Sequence, residues 1–200
     1  MDTLQRYTRA QDGFDRIVAA VPPDRWDTRS ACPEWTLRDV LGHVVWGQEL
    51  VRHLATGRTY ASTVGAPGAP DPGRLIGADP VGTWRAARAA TDPTLTPAAL
   101  AGNVHLRAFG DGPLEGFVTA LVTDFLAHTW DIADPLGTDV RLASELVPGC
   151  FEWARRNVQR VPGGIGPELV PPPGADAQTR LLAFLGRGAP ALRETPLIGL

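Results

Sequence analysis

Between Phe117 and Ile132 the chain sets three polar side chains among four large apolar ones on what reads as a single helical face. At about 100° per residue, Phe117, Leu121, Asp124, Phe125, His128, Asp131 and Ile132 fall within an arc of roughly 120°. A helix that buries this face carries a carboxylate and an imidazole into the core. Asp124 and His128 are i and i+4, side by side. Unpartnered, such groups cost on the order of several kcal/mol to bury. Two compensations are open: an Asp–His hydrogen bond within the core, or a metal ion taking deprotonated O and N ligands from a rigid support.

A mononuclear ion needs a third ligand from a facing element, and His43 is the candidate. It shares a face with Val40, Trp46, Gly47 and Leu50, on a helix whose neighbours Gly42 and Gly47 let another helix approach. Taken alone, an inward histidine on a helix is more often a core residue than a ligand. Asp131, one turn beyond His128, is either an acceptor that orients a ligand or a structural hydrogen-bond partner beside Trp130. Trp46, Trp84 and Trp130 read as core. His53 lies roughly 80° around its helix from His43, at a solvated or capping position.

The rest of the chain is organised around helices. Leu4, Tyr7, Gln11, Phe14, Ile17, Val18 and Val21 make an amphipathic stripe with one polar interruption, ended by Pro22 and Pro23. Thr36 and Asp39 form a capping box for a helix from Leu37 to about Thr56, with Gly57 as its stop. Residues 57–79 lack any period and read as a surface loop with scope for motion. Pro80 opens a third helix to about Thr91. Residues 92–112 are irregular, with a short strand expected over Val104–Phe109. Pro113 opens the fourth helix, and a fifth is expected over Ala143–Arg160, bent or restarted at Pro148. Asp176–Leu185 reads as a last short helix stopped by Gly186. The pattern predicts an all-α bundle with a C-terminal extension, divided as 1–160 and 161–200.

Composition narrows the function. The net charge is -3 at pH 7 and the 19 basic residues are all arginine, which gives no basic stripe for nucleic acid. No segment has the roughly 18 apolar residues of a membrane span, and Met1–Arg9 lacks a signal-peptide core, so a cytoplasmic protein is expected. Cys32 and Cys150 are too far apart in sequence for a cysteine-rich zinc site and read as free buried thiols. A GxSxG elbow, a P-loop, GxGxxG and HExxH are all absent.

Two motifs in the right order then point to a family. Cys32-Pro33-Glu34-Trp35-Thr36-Leu37-Arg38-Asp39-Val40-Leu41-Gly42-His43 resembles the CPGWT-x-x-D-x-x-x-H opening of the mycothiol-dependent maleylpyruvate isomerase-like proteins. These belong to the DinB/YfiT-like metal-binding superfamily. Asp124 through Ala133 resembles that family's acid-x-x-x-H-x-W-D-L-A segment. Gly166-Pro167-Glu168 and Leu181–Arg187 are similar to the C-terminal signature of an actinobacterial subgroup. The departures are Asp124, where the family often has Glu, and Glu34, where it usually has Gly.

The resemblance implies an up-and-down four-helix bundle holding one divalent ion, most often Zn2+, with Ni2+, Fe2+ and Mn2+ as alternatives. His43, Asp124 and His128 are the implied ligands. It also implies a thiol co-substrate of the mycothiol type and a small electrophile, hence a transferase or isomerase, and it is compatible with a homodimer. Asp131, His105 and Arg107 are the further pocket candidates. The alternatives are a thiol-independent Lewis-acid enzyme, such as a hydrolase or cyclase of secondary metabolism, and a non-catalytic metal-binding module. Specificity is expected in the loops at 57–79 and 92–112.

Overall fold

The capping chemistry at the two longest N-terminal helices sets the frame. Asp2 and Gln5 form a capping box that opens α1 (Thr3–Ala20), and Thr36 and Asp39 form the expected one at α2 (Leu37–Ala55). The computed structural model describes residues 1–106, 110–160 and 165–188. Pro80 sits in the first turn of α3 (Pro80–Thr91), capped by Asp79. After a five-residue α4 (Pro97–Ala101), strands β1 (Asn103–Leu106) and β2 (Gly110–Pro113) pair antiparallel, His105 opposite Asp111. The longest helix, α5 (Leu114–Ala133), follows Pro113 directly.

α1, α5, α2 and α3 pack in that order around one core, α3 closing back on α1. Edge-to-face and tilted contacts among Phe14 of α1, Trp84 of α3 and Phe125 of α5, with Tyr7 on Phe125, tie three of the four helices together. This is the all-α bundle that the helical periods predict, with the four packed helices that the resemblance implies. Outside it, α6 (Val147–Asn157) packs on α5, and α7 (Ala177–Phe184) packs on α6.

Several expectations need correction. The helix expected from Ala143 begins at Val147, because Pro148 belongs to its first turn rather than to a bend inside it. Residues 92–112 hold α4 and the start of a hairpin, whose Gly- and Asp-rich second strand gives no apolar alternation to read. The expected strand ends at Leu106 among the described residues. Of the three tryptophans assigned to the core, only Trp84 is fully buried. Trp46 and Trp130 are half-buried.

The loop at 57–79 is pinned rather than free. Trp46 Nε1–H donates to Ser62 O (2.7 Å), Trp35 Nε1–H to Ala69 O (2.9 Å), and Gly73 N–H to Asp39 Oδ1 (2.9 Å). Gly42 admits this loop and not a helix: a Cβ there would lie 2.1 Å from Pro72 O. Gly47 behaves as expected and faces Leu121 of α5.

Candidate metal centre

α2 and α5 bring the three implied ligands together. One donor atom from each of His43, Asp124 and His128 lies within 4.8 Å of the others. His43 and His128 are buried, and their rings meet edge to face at 5.0 Å. The Asp124 side chain is about one-third exposed, at 34%, which marks the side from which solvent reaches the cluster.

The hydrogens of the two rings are fixed from behind. His43 Nδ1 lies 2.6 Å from Gly65 O. A carbonyl can only accept, so Nδ1 carries the proton. His128 Nδ1 lies 2.9 Å from Asp131 Oδ2, and Asp131 is itself held by Arg187 through two contacts, at 3.1 and 2.8 Å, so this Nδ1 donates as well. Both Nε2 atoms therefore face Asp124, with a lone pair where the ring is neutral and with an N–H where it is protonated.

The spacing has room for an ion, and its shorter contact is also a long hydrogen bond. His128 Nε2 is 3.2 Å from Asp124 Oδ1 and His43 Nε2 is 3.6 Å from Asp124 Oδ2. A charge-assisted N–H···O bond would be about 2.7–2.9 Å. Ligand atoms at about 2.0–2.2 Å from a tetrahedral ion stand roughly 3.4 Å apart. The two distances bracket that value, and the N/N/O donor set suits a divalent ion. The residues present fit the group.

For the three side chains by themselves, the electrostatics show how strongly the carboxylate and the rings need positive charge between them. Burial raises the Asp124 pKa, but the imidazoles of His128 and His43 outweigh it and hold the carboxyl well below its usual range. Burial disfavours a charged His128 ring, yet Asp124, then Asp131, lift it to about 9. Asp131 is brought down to about 2 against its own burial, first by Arg187 and then by His128. A proton on His128 and a divalent ion answer the same demand, and only the ion satisfies both rings at once.

Aromatic side chains wall the cluster. Trp35 lies 5.1 Å from the His43 ring and 6.4 Å from that of His128, and Trp46 stacks on His43 at 6.1 Å. Cys32 is a free, half-buried thiol, pushed up to about 12 by burial and by the charge of Asp131. It is no activated nucleophile. Cys150 is free and buried.

Other candidates fall elsewhere. His105 is 71% exposed and bonds Asp111 across the hairpin (2.8 Å). It is not brought into the cluster, because β1 turns its side chain to solvent. Arg107 lies outside the described residues. His53 is half-buried, its Nδ1 on Glu49 O (2.7 Å) and its ring on Tyr60 (4.8 Å). Sequence reasoning missed the Gly65 carbonyl, the Trp35 wall and Arg187. For Arg187 one signal existed, the demand of a buried Asp131 for a cation, but no local spacing names the partner.

Comparison with known proteins gives the lineage of this arrangement. The model of a family described as the mycothiol maleylpyruvate isomerase N-terminal domain matches residues 7–133. The uncharacterized protein Rv0738 of Mycobacterium tuberculosis is 34% identical over 198 residues, covering 94% of this chain and 98% of its own length. Rv0036c of the same organism is 27% identical over 138 residues, 63% of this chain and 53% of its own. Among solved structures, the mycothiol-dependent maleylpyruvate isomerase superimposes with a TM-score of 0.59 at 16% identity, over 78% of this chain and 68% of that one. A histidine-to-alanine mutant of that enzyme gives 0.56 at 16%, over 66% of this chain and 61% of the mutant's. At that identity the likeness speaks to the fold alone.

Proposed function

This chain belongs to the mycothiol maleylpyruvate isomerase N-terminal domain family, and on that premise we propose that it is a mononuclear metalloenzyme that uses a low-molecular-weight thiol of the mycothiol type against a small electrophile. His43, Asp124 and His128 would hold the ion, most often Zn2+. Residues 1–160 would form the metal-binding bundle and 161–200 a segment packed on it. One observation carries the reading: two imidazoles, each held from behind through Nδ1, aim Nε2 at a single carboxylate, at a spacing that ligands around an ion would have. Three protein ligands leave an open coordination position, as catalytic sites do.

When bound, a divalent ion supplies Lewis acidity that lowers the pKa of a thiol presented to it. The chain's residues do the rest. Gly65 O and Asp131 hold the rings so that no reorganisation is needed when a ligand arrives. Trp35 and Trp46 keep water from the histidine side, which strengthens every charge interaction there. The exposed edge of Asp124 marks the approach for the co-substrate. The isomerase's own substrate is not carried over, since this chain spans only 61% and 68% of the two isomerase chains.

Elemental analysis of wild type beside His128→Ala tests the ion. About one equivalent of zinc, nickel, iron or manganese per chain is expected, lost in the variant. The thiol is tested by consumption of mycothiol with monochlorobimane as electrophile, at a rate above that of His128→Ala. Metal-free wild type that takes up no ion would sink the metalloenzyme. Metal-loaded protein at background rate would sink the thiol and favour Lewis-acid chemistry without one.

A further inference from the structure

Asp131 is wholly buried, and its partners are three. Its Oδ2 accepts from His128 Nδ1–H (2.9 Å), its two oxygens take the Arg187 guanidinium (3.1 and 2.8 Å), and its carbonyl accepts from Ala31 N–H (3.0 Å). Arg187 comes from 56 residues further along the chain and is itself held. Its Nη1 donates to Leu185 O (2.8 Å), and its backbone N–H returns to Leu182 O (2.8 Å). Gly186, at φ +77, turns the chain off the end of α7 to make this geometry. The guanidinium thus sits where the C-terminus of α7 puts it, 11% exposed.

We infer that Arg187 is a positioning residue for the metal centre, through which docking of the C-terminal helix and binding of the ion are coupled. The inference rests on the metalloenzyme reading above. The physical chain is short. A buried carboxylate with no cation is strongly unfavourable and turns toward water or another donor. The bidentate guanidinium fixes both Asp131 oxygens in one plane. That fixes the acceptor for His128 Nδ1–H, hence the ring's tautomer and the aim of Nε2 at Asp124. Anything that undocks α7 withdraws the guanidinium and frees the His128 ring. By linkage, an ion that demands the aimed ring favours docked α7 to the same extent.

Competitive zinc titration against a chromophoric chelator, on wild type, Arg187→Gln, Arg187→Lys and Leu182→Ala, tests this. Leu182 is buried on α7 and enters the polar chain only through its backbone carbonyl, which alanine keeps, so its truncation loosens the packing of α7 and leaves the guanidinium in place. Arg187→Gln is expected to weaken zinc affinity about 10- to 100-fold, with Arg187→Lys between it and wild type. Leu182→Ala is expected to lower Tm and, by loosening the docking of α7 with the guanidinium still present, to weaken zinc affinity by less than Arg187→Gln does. Arg187→Gln with wild-type affinity, or Leu182→Ala with lowered Tm and no loss of affinity, overturns the inference and leaves the metalloenzyme standing. Wild type that binds no zinc sinks both. Should Arg187→Gln fail to fold, hydrogen exchange on wild type decides: zinc must slow the amides of Leu181–Leu185, and unchanged rates overturn the coupling.

Discussion

Two buried polar clusters occupy the same bundle, and they differ in where their hydrogens point. In one, Gln11 of α1 donates to Gln48 Oε1 (3.3 Å) and to Asp92 (3.0 Å), while Gln48 donates to the Tyr7 hydroxyl (2.7 Å) and the Thr91 hydroxyl sits between two carbonyls. Its donors meet acceptors within reach, its one carboxylate, Asp92, is paired with Arg88, and only Gln11 Oε1 is left without a partner among the described residues. In the other, the Nδ1 donors of His43 and His128 are directed outward to Gly65 O and Asp131, and two Nε2 atoms and a carboxylate face one another. The first cluster holds together by amide and hydroxyl donors placed against acceptors of its own. The second is arranged for something positive at its centre. Burial alone therefore does not separate a structural polar core from a functional one; the direction of the N–H and O–H bonds does.

Metal removal breaks the comparison most sharply. With free zinc at about a thousand times its Kd, binding stabilises the native state by about 4 kcal/mol. Thermal unfolding of wild type with and without a strong chelator should show a Tm separation of roughly 8–16 °C for a chain of this size. Asp124→Ala should lose that separation. Equal Tm values for zinc-loaded and chelated wild type would place both clusters in the structural class.

Gln48→Leu probes the first cluster and should act in the opposite sense. It leaves the Tyr7 hydroxyl and the Gln11 amide short of partners at sites that are essentially inaccessible, a loss of about 2–3 kcal/mol. Chemical denaturation reads this as a lower midpoint at unchanged slope. Zinc stoichiometry and affinity should stay at wild-type values. A Gln48→Leu protein that loses zinc would mean the two clusters are one network, which their separate hydrogen bonds argue against.

How far each cluster was legible in the sequence follows from what a local period can encode. The α5 face was readable because Asp124, His128 and Asp131 repeat with the helical turn, and His43 because a capping box fixes the register of α2. Gln11 registered only as a polar interruption, since its partners Gln48 and Asp92 lie 37 and 81 residues away. Gly65 and Arg187 escaped for the same reason, at 22 and 56 residues from the side chains they hold. The loop at 57–79 carries no period, so nothing local shows that the indoles of Trp35 and Trp46 bind it down. Trp46 was assigned to the core on its apolar body, yet it is half-buried, with its N–H on the Ser62 carbonyl of that loop.

Glu34 gives the smallest expected effect and the finest test of the contrast. It stands in the left-handed region, at φ +68, the one non-glycine residue to do so among the described residues. The family motif has Gly there, which occupies this region without the Cβ penalty. The next residue, Trp35, walls both histidines and bonds Ala69 O, so the strained turn aims a side chain of the open cluster. Glu34→Gly should relieve about 1 kcal/mol of strain, less the greater unfolded-state entropy of glycine, a rise of up to 2–4 °C in Tm. If zinc affinity is unchanged, the hydrogen bond to Ala69 O and the packing of Trp35 hold the wall whatever the turn residue. If affinity falls as stability rises, strain at Glu34 is part of how the open cluster is held ready, a cost the Gln11–Gln48 network has no counterpart for.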